Sequence, residues 1–195
     1  MNVNTHSAST KGTERKRAVV EAAAAILRES GPAAVTHRAV ARRARSSLSA
    51  TTYYFEGIAD LLHQAGRANM ARWASRAERV AEQAEAAPGY LPDDALVELL
   101  LEACIPKDEN LQAHYSQLIS SGNSTLVSSA YRTGRSRLNA AVIRILNCRE
   151  VPLSADLVIG VVDGAAVSAL SEGRDVHATI RELLTSLLQA TNPHR

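Results

Sequence analysis

Residues 17–62 read RAVVEAAAAILRESGPAAVTHRAVARRARSSLSATTYYFEGIADLL, and this stretch decides the fold. Val19, Ala22, Ala23, Ile26 and Leu27 recur at spacings of three and four, with charges on the opposite side. That period predicts an amphipathic helix from Thr13 until Gly31-Pro32 stops it. Thr36 has a hydroxyl suited to an N-cap, so a second, short helix is expected through Val40 and Ala41 to Arg43. Arg45-Ser46-Ser47 makes a polar break, and Ser47 can cap a third short helix ending near Phe55. Two short helices joined by a tight turn and braced by a first are the layout of a helix-turn-helix unit.

Working outward, residues 58–87 carry an apolar stripe of Leu61, Leu62, Ala65, Met70, Trp73, Ala77, Val80 and Ala84, ended by Pro88-Gly89 and Pro92. Breaks at Pro106, Ser120–Asn123, Pro152 and Gly173 divide the rest into about five more helices. The chain of 195 residues contains 34 alanines, the best intrinsic helix former, against six prolines and ten glycines. No Val/Ile/Thr alternation suggests strands, so the fold class is all-α with about nine helices. The expected organisation is a disordered basic arm over 1–12, a helix-turn-helix domain over 13–57, and a helical body over 58–195.

Several function classes are excluded. No run of about 18 apolar residues is present, so no membrane-spanning helix is expected. The polar N-terminus lacks the apolar core of a signal peptide, so a cytoplasmic location is expected. Its two cysteines, Cys104 and Cys148, are expected to stay reduced there, Cys148 as a buried structural thiol. The six histidines are isolated, with no spacing for a metal site and no E-x-x-H pair. No G-x-S-x-G, GxxxxGK[ST] or GxGxxG occurs, so no cofactor and no enzymatic activity are expected. Charge points elsewhere. Residues 1–55 hold nine Lys/Arg against three acids, whereas the remaining 140 residues hold 13 against 17. A basic head on an acidic body is what a phosphate backbone attracts.

The rhythm of Arg17, Ala22, Ala23 and Gly31, then Val35-Thr36, Val40-Ala41, Ala44, Tyr53-Tyr54-Phe55 and Leu61-Leu62, resembles the DNA-binding domain of the TetR/AcrR family of one-component regulators. The forms T-H-R-A-V-A and T-T-Y-Y-F look like a subgroup common among actinobacterial regulators. Three positions depart from the family pattern, one being Ser46, where an apolar residue is usual. Arg45 stands where Gly is usual in the turn, a position that can require a positive φ. Ile58 stands where a Lys usually follows the aromatic block, and Arg45 is a possible local replacement for that charge.

The resemblance implies that the third helix enters a major groove of double-stranded DNA. Leu48 and Ala50 would then touch thymine methyls, and Ser49 would hydrogen-bond to bases. Thr36 and Thr52 are phosphate-contact candidates, with His37 and Arg38 flanking the first, and Arg45 and Ser47 lying in the turn; Thr51 is expected in the core. Lys11, Arg15 and Arg17 are within reach of an adjacent minor groove or backbone. On a helix, three consecutive aromatics point about 100° apart and cannot share one core. Phe55 is assigned inward, leaving the phenols of Tyr53 and Tyr54 for phosphate oxygens or as wedges against neighbouring helices.

For the body, the resemblance implies a ligand cavity followed by two helices that pair with a second subunit. Leu153–Leu170 and Val176–Leu188 suit that pairing, with Gly160 and Gly164 allowing close approach. Met70, Trp73, Leu100, Cys104, Tyr115, Leu118, Ile119 and Tyr131 lie on helices that in the family surround the cavity, although apolar residues at helical spacing are most often core. The reading is therefore a homodimeric repressor of a pseudo-palindromic operator, released by a small-molecule effector. The alternative is a helical carrier or scaffold that has lost specific DNA binding, for which Arg45 and Ile58 are the support.

Overall fold

The computed structural model describes the backbone of residues 4–107 and 110–191 and, within those, the side chains from Gly12 onward. Among the described residues there are nine α-helices, one 3₁₀ turn at Pro32–Ala34 and no strand. The helices are α1 (Asn4–Ser30), α2 (His37–Arg43), α3 (Leu48–Tyr54), α4 (Ile58–Ala86) and α5 (Asp93–Cys104). They continue with α6 (Leu111–Ser121), α7 (Thr125–Asn147), α8 (Ala155–Glu172) and α9 (Val176–Thr191). The all-α expectation holds, and so do the breaks at the proline and glycine positions.

One boundary differs. α1 begins at Asn4, upstream of the start expected at Thr13, so residues 4–12 are helix where an arm was expected. No proline lies between Asn4 and Thr13, and the lone Gly12 weakens a helix by about 1 kcal/mol without ending it. Residues 1–3 and the side chain of Lys11 lie outside the described residues.

The chain forms two compact units, Met1–Met70 with Ala113–Thr133, and Ala71–Gln112 with Gly134–Arg195. In the first, the α1 residues Val19, Ala23 and Leu27 share a core with Val35, Val40, Phe55, Leu61, Ala65 and Val127. This is the face that the sequence period assigned to the interior. Within the same unit Gly66 lets α4 and α7 approach closely, since a Cβ there would sit 3.0 Å from that of Ala130.

In the second unit α5, α8 and α9 pack together through Leu96, Leu100, Val158, Val162, Ala165, Ile180 and Leu184. Arg137 and Arg144 reach Glu78 and Glu85 in two-pronged pairs at 2.7 and 2.6 Å. Both partners advance by seven residues, so these stretches of α4 and α7 run parallel. The Arg144 guanidinium holds the Glu85 carboxyl below the usual carboxylate range. Arg149 has a buried side chain, ion-paired to Asp93 at 2.7 Å and stacked 4.3 Å from the centre of the Tyr90 ring, which fixes the α4–α5 connection.

Candidate nucleic-acid interface

Two hydroxyl caps set the geometry of the head. Thr36 Oγ1 accepts from the Ala39 amide at 3.1 Å, and Ser47 Oγ accepts from the Ala50 amide at 3.2 Å. Each satisfies one of the amides that a helix leaves without an internal partner. Both hydroxyls keep a proton to donate. Thr52 directs its own O–H back to the Ser49 carbonyl at 3.1 Å, which leaves its oxygen lone pairs outward.

Between the caps the chain turns by a tight closure. Ser46 N–H donates to the Ala41 carbonyl at 3.0 Å, and Arg45 sits at φ +50°. A backbone hydrogen bond spanning this turn with a left-handed residue inside it is the closure usually made with Gly or Asn. The structure therefore places positive φ at the position where the sequence substitutes Arg for the expected Gly.

α3 then divides as its periodicity predicts. Thr51 is fully buried and returns its hydroxyl to the Leu48 carbonyl at 2.7 Å, and Phe55 just beyond the helix is buried in the core. Opposite them Leu48 is half exposed, Ser49 and Thr52 are exposed, and Tyr53 is 83% exposed. Ala50 is half-buried. Tyr54 is also half-buried, packs on the core and meets Tyr53 edge-on with ring centres 5.3 Å apart. Of the two expected phenols, only Tyr53 stands clear of the fold.

The charge around this face is largely unneutralised. Arg43 is the exception, gripping Glu29 with both prongs at 2.5 and 2.6 Å. Lys16 lies 5.6 Å from the centre of the Phe55 ring. Arg15, Arg17, Arg38, Arg42 and Arg45 are exposed and form no ion pair among the described residues. His37 is half-buried, and its Nδ1 is buried with no hydrogen-bond partner. Arg42 was not singled out by the sequence reading, although its place one turn after Arg38 on a seven-residue helix puts both on one side.

The body residues fall into two groups. In the first unit Met70 and Tyr115 are buried, Leu118 and Tyr131 are half-buried, and Ile119 is 69% exposed. Tyr131 donates to Gln117 Oε1 at 3.1 Å, and Gln117 Nε2 is buried without a partner. Burial raises the Tyr131 pKa against the opposing hydrogen bonds from Asn69, Ser121 and Gln117. Asn69, which the sequence reading passed over, is fully buried in this group; its signal was a polar residue four positions after Ala65 on the apolar stripe.

In the second unit Trp73 and Leu100 are buried and Cys104 is half-buried. The Cys104 thiol is pushed up to about 12, first by burial and then by the Asp163 carboxylate, against the pull of Arg76 and Arg135. Because the thiolate is the reactive form, native Cys104 should alkylate about a thousandfold more slowly at pH 8 than an ordinary thiol. Iodoacetamide labelling read by peptide mass spectrometry checks this; labelling of native Cys104 at the rate of the unfolded chain contradicts it. No group of three or more metal-binding side chains occurs among the described residues, and no described helix is long and apolar enough to cross a membrane.

No protein-family model and no curated protein matches the sequence. Solved structures do match the fold. A candidate TetR-family transcriptional regulator of Mesorhizobium loti is 14% identical, with a TM-score of 0.68 over 93% of this chain and 96% of its own. The multidrug-binding protein EbrR, solved with imidazole, is 23% identical, with a TM-score of 0.63 over 89% of each chain. A TetR-family transcriptional regulator of Streptomyces coelicolor is 20% identical, with a TM-score of 0.54 over 93% of this chain and 97% of its own. The helix order, the two capped short helices and these near-complete overlaps lead to one conclusion: this chain has the TetR-family regulator fold.

Proposed function

We propose that this protein is a ligand-responsive transcriptional regulator of the TetR type, acting in the cytoplasm as a homodimeric repressor. Residues 13–57 serve as the reading head and residues 58–195 as the sensing and pairing body. The T-H-R-A-V-A and T-T-Y-Y-F forms ally it with the actinobacterial-type subgroup. The observation that carries the reading is the open face of α3, where Leu48, Ser49 and Tyr53 face water in a head that also carries five exposed arginines without carboxylate partners. A helix whose inner face is filled and whose outer face is hydroxyl-rich, in a head that carries exposed arginines on α1, α2 and the turn, suits a major groove.

Pairing through α8 and α9 fits their surfaces. Leu157, Gly160, Val161, Gly164 and Val167 form one stripe along α8, and Leu183 and Leu187 lie on α9. Leu157, Val167 and Leu183 are each more than 40% exposed, and a Cβ at Gly160 or Gly164 would meet nothing within 4 Å. An effector is supported by the multidrug-binding protein EbrR, which shares this fold. It would act by binding one arrangement of the two heads better than the other.

The test is fluorescence anisotropy on DNA from upstream of the protein's own gene, with excess nonspecific competitor and at two salt concentrations. Tight, competitor-resistant binding that weakens steeply with salt is expected. Weak binding abolished by competitor on every duplex would favour a carrier that kept the fold alone. Within the same assay, Tyr53→Phe should weaken all sequences alike, whereas Ser49→Ala should change which sequences bind. Equal loss on every sequence from both changes would remove that division of roles.

A further inference from the structure

The geometry points to a phosphate clamp made by Arg15 of α1 and Arg45 of the α2–α3 turn, which grips the DNA backbone without reading its sequence. The inference rests on the DNA-binding reading and adds a site to it. Arg45 occupies the left-handed region at φ +50°, where the backbone itself favours Gly. A residue held in an unfavourable conformation next to a functional face calls for a use of its side chain.

The use is visible in what surrounds it. A groove of about 280 Å³ is lined by Arg15, Ala18 and Val19 of α1, by Ala44 through Ser47 of the turn, and by Ala50. Two arginines and Ser47 are among the residues that border it, and no acidic residue is. Neither arginine forms an ion pair among the described residues, unlike the neighbouring Arg43, which Glu29 neutralises. Ser47 accepts from the Ala50 amide and shares a hydrogen bond with the Ser49 hydroxyl at 3.0 Å, so one of these two hydroxyls keeps its proton for an anion. Arginine forks fit phosphate oxygens in pairs, and the residues bordering the groove continue directly into the exposed face of α3. The occupant is a phosphodiester of the strand flanking the groove that α3 enters.

The test compares Arg45→Gly, Arg45→Gln and Arg45→Lys with the full-length wild-type protein. Anisotropy is measured on the upstream duplex and on a random duplex across a salt series, with Tm measured alongside. Losing one phosphate contact per subunit should make the log–log salt slope of a dimer shallower by about 1.8 and weaken binding by about tenfold on both duplexes. Arg45→Gly should show this loss with a raised Tm, because the strain is relieved. Arg45→Gln should show it without that gain, and Arg45→Lys should restore most of the slope. Wild-type slopes in both the Gly and the Gln variants would overturn the clamp while leaving DNA binding intact. Failure of the wild-type protein to bind any duplex at low salt would instead overturn the DNA-binding reading beneath it.

Discussion

Replacing Leu157 and Leu183 together by arginine is expected to leave the protein monomeric and to weaken operator binding by at least about a hundredfold. Both side chains are large and apolar, and they stand 46% and 43% exposed on two helices whose buried residues Val158, Val162, Ala165, Ile180 and Leu184 lie in the core of the second unit. On α8 the exposed stripe also carries Gly160 and Gly164, which add no side-chain bulk and let a partner helix come near. In a two-fold interface every substitution counts twice, so the double variant would place four arginines in one contact. Dissociation would then remove the coupling between two half-sites. Joining two binding modules raises affinity by about 10² to 10⁴ without any new contact, and this is the factor at stake. Sedimentation equilibrium reads the mass, and anisotropy on a two-half-site duplex reads the affinity. A variant that stays dimeric at micromolar concentration would mean that subunits pair through another surface.

The two short helices of the head are legible in the sequence to within a residue because their signals are local. A hydroxyl at Thr36 or Ser47 caps a helix through an amide three positions away, and Gly31-Pro32 ends one without reference to anything distant. The inward placement of Phe55 follows from the helical spacing of three consecutive aromatics, and that of Thr51 from the resemblance. What escaped the reading depends on partners far along the chain. Nothing around Glu78 or Glu85 announces that arginines 59 residues later will meet them. Asn69 shows as a polar interruption of an apolar stripe, but its partners lie 41 and 45 residues upstream. Among the body residues singled out for a ligand, burial separates Met70, Trp73, Leu100 and Tyr115 from the exposed Ile119, although period alone groups them. The extension of α1 to Asn4 was missed for a different reason. Polar composition was read as an arm, while the backbone there meets no proline to stop it.

Asn69→Leu is expected to lower Tm by about 6–12 °C, a large effect for one buried amide. The side chain is fully buried in the first unit and bonds in both directions. Its Nδ2 donates to the Ala24 carbonyl at 3.3 Å, and its Oδ1 accepts from the Arg28 guanidinium at 2.5 Å, so it ties α4 to α1 in two places. Leucine matches it in size yet makes neither bond, and a guanidinium in a half-buried position loses a charged hydrogen bond. Losing the charged bond to Arg28 together with the neutral one to Ala24 costs about 3 kcal/mol. In a chain of this length each kcal/mol shifts Tm by about 2–4 °C. Asn69→Asp separates the two bonds, since a carboxylate gives up the donor to Ala24 but offers Arg28 an opposite charge. It should therefore cost less than half as much at neutral pH. Adding Arg28→Met to Asn69→Leu closes a double-mutant cycle. If the guanidinium is what suffers, the pair will be more stable than the two single losses predict, with a coupling of about 1–2 kcal/mol. Calorimetry that finds Asn69→Leu within about 2 °C of wild type would show instead that apolar packing of α4 on α1 holds this unit unaided.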